Sequence, residues 1–483
     1  MAKAQLTVGM TIDGFLLEQR IHRGGMADIW RVSRGDVDFP IVMKVPLLDF
    51  EGDISVLVGF EVEQMIIAEV NGPHVPRWVA NGEFAVQPYI VMEYIEGPTL
   101  LKMWADRAAP ADEIVRIGIE VAAALADLHQ QHVLHLDLKP ANVMFRPTGE
   151  AVLIDFGLSR HEQLPDLLEE QFHRPTGTPD YMAPEQLFRV RSDQRSDIYA
   201  FGAVLYQLAT GHLPFGRPTR MRKVRRRVWR DPVPPRTLRP QTPPVLQEII
   251  LRCLEPLPDA RYQRATDLLF DLRHLDLVEM TERAQRTQQS DFRTALGRRL
   301  RASKTIRTIL ASATRPPARS PIILAAVDLR PDLKDLRYAL LEAAASALAN
   351  TPGARLACVS VMSTSLIGID ENVDAAGENI HVQKLAELRA WAQPLQLPRG
   401  KISYHLLESR NVTAAILEFA RSNTVDHIVI GAARTGSFAG KVLAQITAEA
   451  PCSVTVVRTS EDTSHAERNE DARGSPRGGL PSN

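Results

Sequence analysis

The segment H-L-D-L-K-P-A-N at 135–142 places Asp137 and Asn142 five residues apart, and a second acid, Asp155, opens D-F-G at 155–157. An ionised carboxylate accepts hydrogen bonds without donating, so Asp137 is suited to receive a proton from an attacking hydroxyl. The amide oxygen of Asn142 and the carboxylate of Asp155 are hard oxygen donors, the kind that Mg²⁺ or Mn²⁺ takes when it also binds phosphate oxygens. A base, a cation site and a third motif, A-P-E at 183–185, in this order and spacing, fit phosphoryl transfer, a reaction that needs positioning and charge neutralisation more than covalent help.

These three motifs resemble those of the Ser/Thr protein kinases of bacteria. The resemblance implies a two-lobed α+β fold, ATP with Mg²⁺ or Mn²⁺ as the nucleotide and metal, and protein substrates phosphorylated on Ser or Thr. It also assigns roles by position. Asp137 is the base and Lys139 the lysine that marks Ser/Thr-specific members and meets the γ-phosphate. Asn142 and Asp155 hold the metal. Lys44, in I-V-M-K, aligns with the lysine that pairs with the α- and β-phosphates, and Glu63 orients it, with Glu61 as the alternative. P-Y-I-V-M-E-Y-I-E-G (88–97) resembles the last strand and hinge, with Met92 as gatekeeper and Glu93 to Ile95 beside the adenine. Asp197 resembles the aspartate that braces the loop of the base. Arg261 resembles the arginine that pairs with Glu185.

Two stretches depart from the family pattern. The phosphate loop, I-H-R-G-G-M-A-D-I at 21–29, has His22 where the first glycine of G-x-G-x-x-G stands and Ala27 at the third. Ile21, Gly24, Gly25 and Ile29 are its expected nucleotide contacts, and Gly24 and Gly25 permit close backbone approach to phosphate. Leu136 replaces the arginine that grips a phosphorylated activation segment in many members. Its absence predicts that activity does not depend on phosphorylation of Ser159 or Thr176. Thr178 matches the residue that supports the base through its hydroxyl.

The elements needed to position these residues are legible as periodicity. From Phe15 to about Glu96, short β-like runs surround one helical stretch near 56–69, a strand-rich small lobe. From Ala111 the reading turns helical, with Ile114, Ile117, Val121, Leu125 and Leu128 on one stripe. The kinase-like domain is expected over 12–275. An Arg-rich, partly helical linker follows over 276–320. After it, nearly uniform apolar strands alternate with helices over 321–458, which implies a parallel sheet covered on both faces. This region resembles the universal stress protein family, a five-stranded α/β fold, most clearly in H-I-V-I-G-A-A-R-T-G and A-P-C-S-V-T-V-V. Asp328 matches that family's adenine-side aspartate and Gly431 its first loop glycine. Arg434 stands at the second glycine, and Lys441 follows Gly440 where a hydroxyl is expected. The expected roles are therefore sensing, dimerisation through the last strand, or recruitment of a partner. Residues 459–483, made of Gly, Ser, Pro and charge, are expected to be disordered.

At 483 residues the chain exceeds one hydrophobic core, and roughly three domain-sized units fit a two-lobed domain plus a smaller one. A hydrophobic fraction of 45% with 24% charged residues is globular, and a net charge of -1 gives no global pull toward nucleic acid or anionic membrane. The charge is uneven, however. Residues 217–230 carry eight basic side chains, a solvated face or a docking patch for an acidic partner. Three cysteines make no disulfide framework, no apolar run is long enough to span a bilayer, and the N-terminus does not read as a secretory signal, so a cytoplasmic location is expected. Two rival readings of the same residues are a kinase-fold scaffold and a nucleotide-sensing stress adaptor with little transfer to other proteins.

Overall fold

The structure, a computed structural model, describes residues 6–47, 54–83, 87–104, 108–172, 174–218, 220–289, 302–313, 320–362, 379–432 and 437–458. They fall into two compact units, one running as far as the 302–313 helix and the other starting at residue 320. The expected tail at 459–483 and the loop at 433–436 that holds Arg434 lie outside the described residues, as does the side chain of Lys441.

The first unit opens with a six-stranded antiparallel sheet in the order Thr11–Ile12, Phe15–Arg23, Ala27–Ser33, Ile41–Pro46, Ile90–Glu93, Trp78–Asn81. Alternation puts Phe15, Leu17, Trp30, Val32, Met43 and Val91 in one cluster, while the opposite face carries Lys44 among Ile29, Val42 and Ile90. The helix Ile54–Ile67 is apolar nearly all round and is buried accordingly, so its Glu61 and Glu63 are enclosed carboxylates. Gly59 brings this helix against D-F-G, because a Cβ there would stand 3.2 Å from the carbonyl oxygen of Gly157.

Helices dominate the rest of the unit. Ala111–Gln130 buries the stripe Ile114, Ile117, Val121, Leu125 and Leu128 and packs on Ala265–Arg273. Arg195–Thr210 is buried along its whole length, the central post of this lobe. Two short antiparallel pairs, Val133–Leu134 with Arg160–His161 and Val143–Phe145 with Ala151–Leu153, frame the 135–142 loop. The segment read as linker is structured where it is described. Glu282–Gln285 packs against Pro244–Cys253, and Ala302–Ala313 lies on the turns at Glu185–Phe188, Arg225–Val228 and Pro258–Ala260. Ile309 is fully buried there among Met182, Leu187, Val224 and Val228.

The second unit is a five-stranded parallel sheet in the order Ile402–Glu408, Arg355–Met362, Ile322–Ala326, His427–Gly431, Ser453–Val457. One face of its strands (Ile322, Leu324, Ala357, Val359, Ile428, Ile430) meets Ile416, Leu417, Phe419 and Ile446 of the helices Val412–Ser422 and Ser437–Glu449. The helices Lys334–Ala349 and Ile380–Ala392 also pack against the sheet, and coverage by helices is what parallel strands without polar alternation require.

Candidate active site

The 135–142 loop hangs from one buried carboxylate. Asp197, in the first turn of Arg195–Thr210 and fully buried, accepts the backbone N–H groups of His135 at 2.9 Å and Leu136 at 2.7 Å, and its Oδ2 also meets His129 Nε2 at 2.9 Å. Burial pushes this carboxyl up, but His129, His135 and the Leu136 N–H outweigh it and hold the group below the usual range. The helix N-terminus favours the same negative charge. Leu136 takes φ 60°, a left-handed turn that a non-glycine residue adopts only when its surroundings fix it. Gln186 contributes a further tie, its Nε2 donating to the Leu136 carbonyl at 2.9 Å.

Held this way, the Asp137 side chain enters a small polar cluster. Its Oδ1 accepts both the backbone N–H and the hydroxyl of Thr178, each at 2.7 Å, and its Oδ2 accepts the Lys139 ammonium at 2.6 Å. Lys139 also reaches the Thr178 hydroxyl at 3.2 Å. Asn142 donates from Nδ2 to the Asp137 carbonyl at 3.0 Å, which turns its Oδ1, the atom able to meet a cation, elsewhere.

Lys44 joins three elements. From the strand Ile41–Pro46 its ammonium meets Glu63 at 2.6 Å and Asp155 at 3.1 Å. Burial opposes its charge, yet Asp155 and Glu63 carry its pKa above that of an ordinary lysine. Lys44 in turn holds the Asp155 carboxyl below its ordinary range, so Asp155 is ionised at neutral pH with 45% of its side chain exposed. Asp155 also has left-handed backbone, φ 67°, and the next residue, Phe156, is buried with its ring 5.6 Å from that of His135.

The expected nucleotide residues sit around this cluster. Ile29 lies opposite Lys44 in the sheet register and opposite His22 on the other side. Ile21 falls at the register shift in that hairpin and is 40% exposed. The tip is closed by the Gly24 N–H, which donates to the Ala27 carbonyl at 3.0 Å, and a Cβ on Gly25 would meet only open space. The Glu93 carboxylate is taken up by Arg146, whose Nη2 donates to Oε2 at 3.0 Å, and the Glu93 N–H donates to the Arg77 carbonyl at 2.8 Å, which leaves the Glu93 carbonyl for a ligand. Ile95 is buried.

Some expectations need correction. In the basic stretch, Arg225 and Arg226 are exposed, but Arg227 is 1% exposed and donates to the Pro179 carbonyl at 2.7 Å and to the Met182 carbonyl. It braces the chain after Thr178 and does not belong to a docking face. Ser159 is buried too, its hydroxyl donating to the His135 carbonyl at 3.0 Å, which closes it to modification in this arrangement. Arg191, which no motif flagged, proves central to the segment around Thr176; its only sequence signal is that it is the second basic side chain after A-P-E-Q-L-F. In the second unit, Asp328 is paired with Arg330 at 3.0 and 2.8 Å.

Among the described residues no three His, Cys, Asp or Glu side chains could hold a metal by themselves, and no helix is long and apolar enough to cross a membrane. Asn142 and Asp155 fit a Mg²⁺-type cation that completes its shell from phosphate oxygens and water.

Residues 18–271 match the family model described as protein kinase domain, and residues 321–458 match the universal stress protein family. Similar relatives include a probable serine/threonine-protein kinase of Clostridium perfringens, 28% identical over 53% of this chain and 37% of its own length. The serine/threonine-protein kinase PknB of Mycolicibacterium smegmatis is 31% identical over 54% of this chain and 42% of its own. The serine/threonine-protein kinase pkn3 of Myxococcus xanthus is 32% identical over 56% and 51%. The chain therefore spans about half or less of these relatives. A solved structure, the Mycobacterium tuberculosis PknI kinase domain, is similar over 56% of this chain and 99% of its own, at 24% identity and a TM-score of 0.45.

Proposed function

The chain belongs to the protein kinase family, and we propose that it transfers the γ-phosphoryl group of ATP to Ser and Thr hydroxyls of proteins, itself included, in stress signalling. The observation that carries this reading is the joint arrangement of Asp137 with Thr178 and Lys139 and of Lys44 with Glu63 and Asp155. The base is fixed, and the ion pair that orients the phosphate-binding lysine is formed.

In this reading Asp137 accepts the hydrogen bond and then the proton of the substrate hydroxyl, while Thr178 keeps its carboxylate aimed. Lys139 neutralises charge on the transferred phosphoryl group, and Lys44 does so on the α- and β-phosphates. Ile21, Gly24, Gly25 and Ile29 cover the nucleotide, and the backbone of Glu93 to Ile95 faces the adenine. Asn142 and Asp155 would hold Mg²⁺, which when bound offsets phosphate charge. The exposed Arg225 and Arg226 remain as contacts for an acidic partner, and the edge strand Ser453–Val457 as a surface for a second copy. In this reading the kinase unit runs over 12–275 and the stress-protein-like unit over 321–458, and the chain works in the cytoplasm.

Incubating the full chain with Mg-ATP and a mixture of added proteins tests the reading. Phosphate on Ser and Thr of the added proteins, lost with Lys44→Met, is expected. Nucleotide binding without any transfer would favour the scaffold or adaptor alternatives.

A further inference from the structure

The protein kinase match ends at residue 271, yet the helix Ala302–Ala313 is seated on the turns of the first unit that lie next to its catalytic residues. Its apolar side carries Ile306 and Ile309, three residues apart and so on one face, while Lys304, Arg307, Thr308 and Ala311 are exposed. Ile309 is fully buried among Met182, Leu187, Val224 and Val228, and Phe188, Trp229 and Leu257 pack around the same cluster with Ile306. A helix of 12 residues is marginal in water by itself, so this one is folded because it is seated.

The seat is built from residues that aim Asp137. One part is Met182, whose N–H donates to the Thr178 carbonyl at 3.1 Å, and Thr178 supplies both donors on Asp137 Oδ1. A second part is the turn Arg225–Val228. From it, Arg227 Nη2 donates to the Pro179 carbonyl at 2.7 Å and Nη1 to that of Met182. The Arg227 Nε has no partner among the described residues, and the Phe215 ring lies 5.4 Å from the guanidinium, so packing sets where this buried cation stands. Val224 and Val228, on either side of Arg227 in sequence, belong to the cluster around Ile309. The third part is the turn Glu185–Phe188. It holds Gln186, which accepts the Ala183 N–H at 2.8 Å and donates to the Leu136 carbonyl at 2.9 Å, next to Asp137.

We propose that the helix Ala302–Ala313 is a brace for the catalytic base. Seated, it fixes Met182 and the turns that carry Gln186 and Arg227, and these hold Thr178 and the backbone at 136–137 where transfer needs them. Released, it lets 178–186 relax, and the Asp137 carboxylate loses its aim; misplacement by about 1 Å is enough to slow a positioned reaction severely. Ile306 and Ile309 are thus positioning residues beyond the matched region, and the working unit runs to Ala313. A strap that inhibits would disturb the residues beneath it, whereas here Lys44 meets Glu63 and Asp137 meets Thr178 with the helix in place. The bracing of 178–186 rests on the contacts alone; its effect on transfer rests on the function proposed above.

The test releases the helix in the full chain by Ile306→Asp with Ile309→Asp, which place two charges in an apolar seat. Hydrogen exchange read by mass spectrometry is expected to show 302–313 unprotected and 178–186 exchanging at least about tenfold faster, with Arg195–Thr210 unchanged. Transfer to an added protein should fall at least about tenfold in kcat while KM for ATP stays within about twofold, because Lys44 and the phosphate loop do not lean on this helix. Ile309→Leu should keep the parent values. Lys304→Asp with Arg307→Asp, two acids placed on the exposed side, should move neither reading. Protection of 302–313 that survives the release pair, exchange over 178–186 that does not respond to release, or transfer that is unchanged or raised overturns the proposal, as does an equal effect of the exposed-side pair. A parent chain that transfers nothing would defeat the kinase reading, and the exchange result would still decide whether the helix braces 178–186.

Discussion

Glu185 and Arg261 have no exposed side-chain surface and meet through two hydrogen bonds of 2.7 and 2.9 Å, with Ser196 donating a third to Glu185. Burial pushes the carboxyl up, but Arg261 and Ser196 outweigh it and hold it below its ordinary value of 4.5. A carboxyl depressed in the folded state stabilises fully above its unfolded value and loses that contribution as pH falls through the folded one. Denaturant titrations should therefore show the first unit weakening below about pH 4.5, with a shallower acid limb in Glu185→Gln. At pH 7 that substitution should cost about 3–5 kcal/mol by stranding a buried arginine. An unchanged midpoint would refute the pairing. The pairing of Glu185 with Arg261 was legible through the resemblance that the motifs carry, as were the expected roles of Asp137, Asn142, Asp155 and Lys44. Arg227 was misjudged because a run of eight basic side chains carries no sign of which one turns inward. Arg191 went unseen because its partners, Asp166, Thr176 and the carbonyls of Leu158 and Ser159, meet only after two loops close.

The helix Ile54–Ile67 delivers Glu63 to Lys44, so its seating controls where that ammonium is held. Glu63→Gln removes a partner from an ammonium with 15% of its side chain exposed and should lower kcat/KM for ATP about 30-fold, equivalent to about 2 kcal/mol. Steady-state kinetics at varied ATP would detect it; an unaltered kcat/KM would show that the pair does not orient Lys44 during turnover. At this scale the sequence was informative where the hydrophobic period was clean. The stripe of Ala111–Gln130 and the uniform strands of the second unit left little choice of element or of sheet type. The seat of Ala302–Ala313 was not legible. Its residues show one apolar side, but the groove that accepts it is formed by Met182, Leu187, Val224 and Val228, which come from separate stretches of chain.

As a whole the described chain is two units, and the 302–313 helix belongs to the first through Ile309. Ile309→Ala should cost about 2–4 kcal/mol at that contact. Because the helix is peripheral, the loss should appear as faster amide exchange over 302–313 while Arg195–Thr210 stays protected. Equal protection in both proteins would mean that Ile309 does not anchor the helix. The proposed function requires that this molecule transfer phosphate through Asp137. Its most direct test incubates the full chain and its Asp137→Asn variant with γ-labelled ATP and Mg²⁺ and maps the modified residues by mass spectrometry. Label is expected on Ser or Thr of the unaltered chain at a rate at least about 10²-fold above that of the variant; equal labelling of the two, or none on either, would overturn the proposed function.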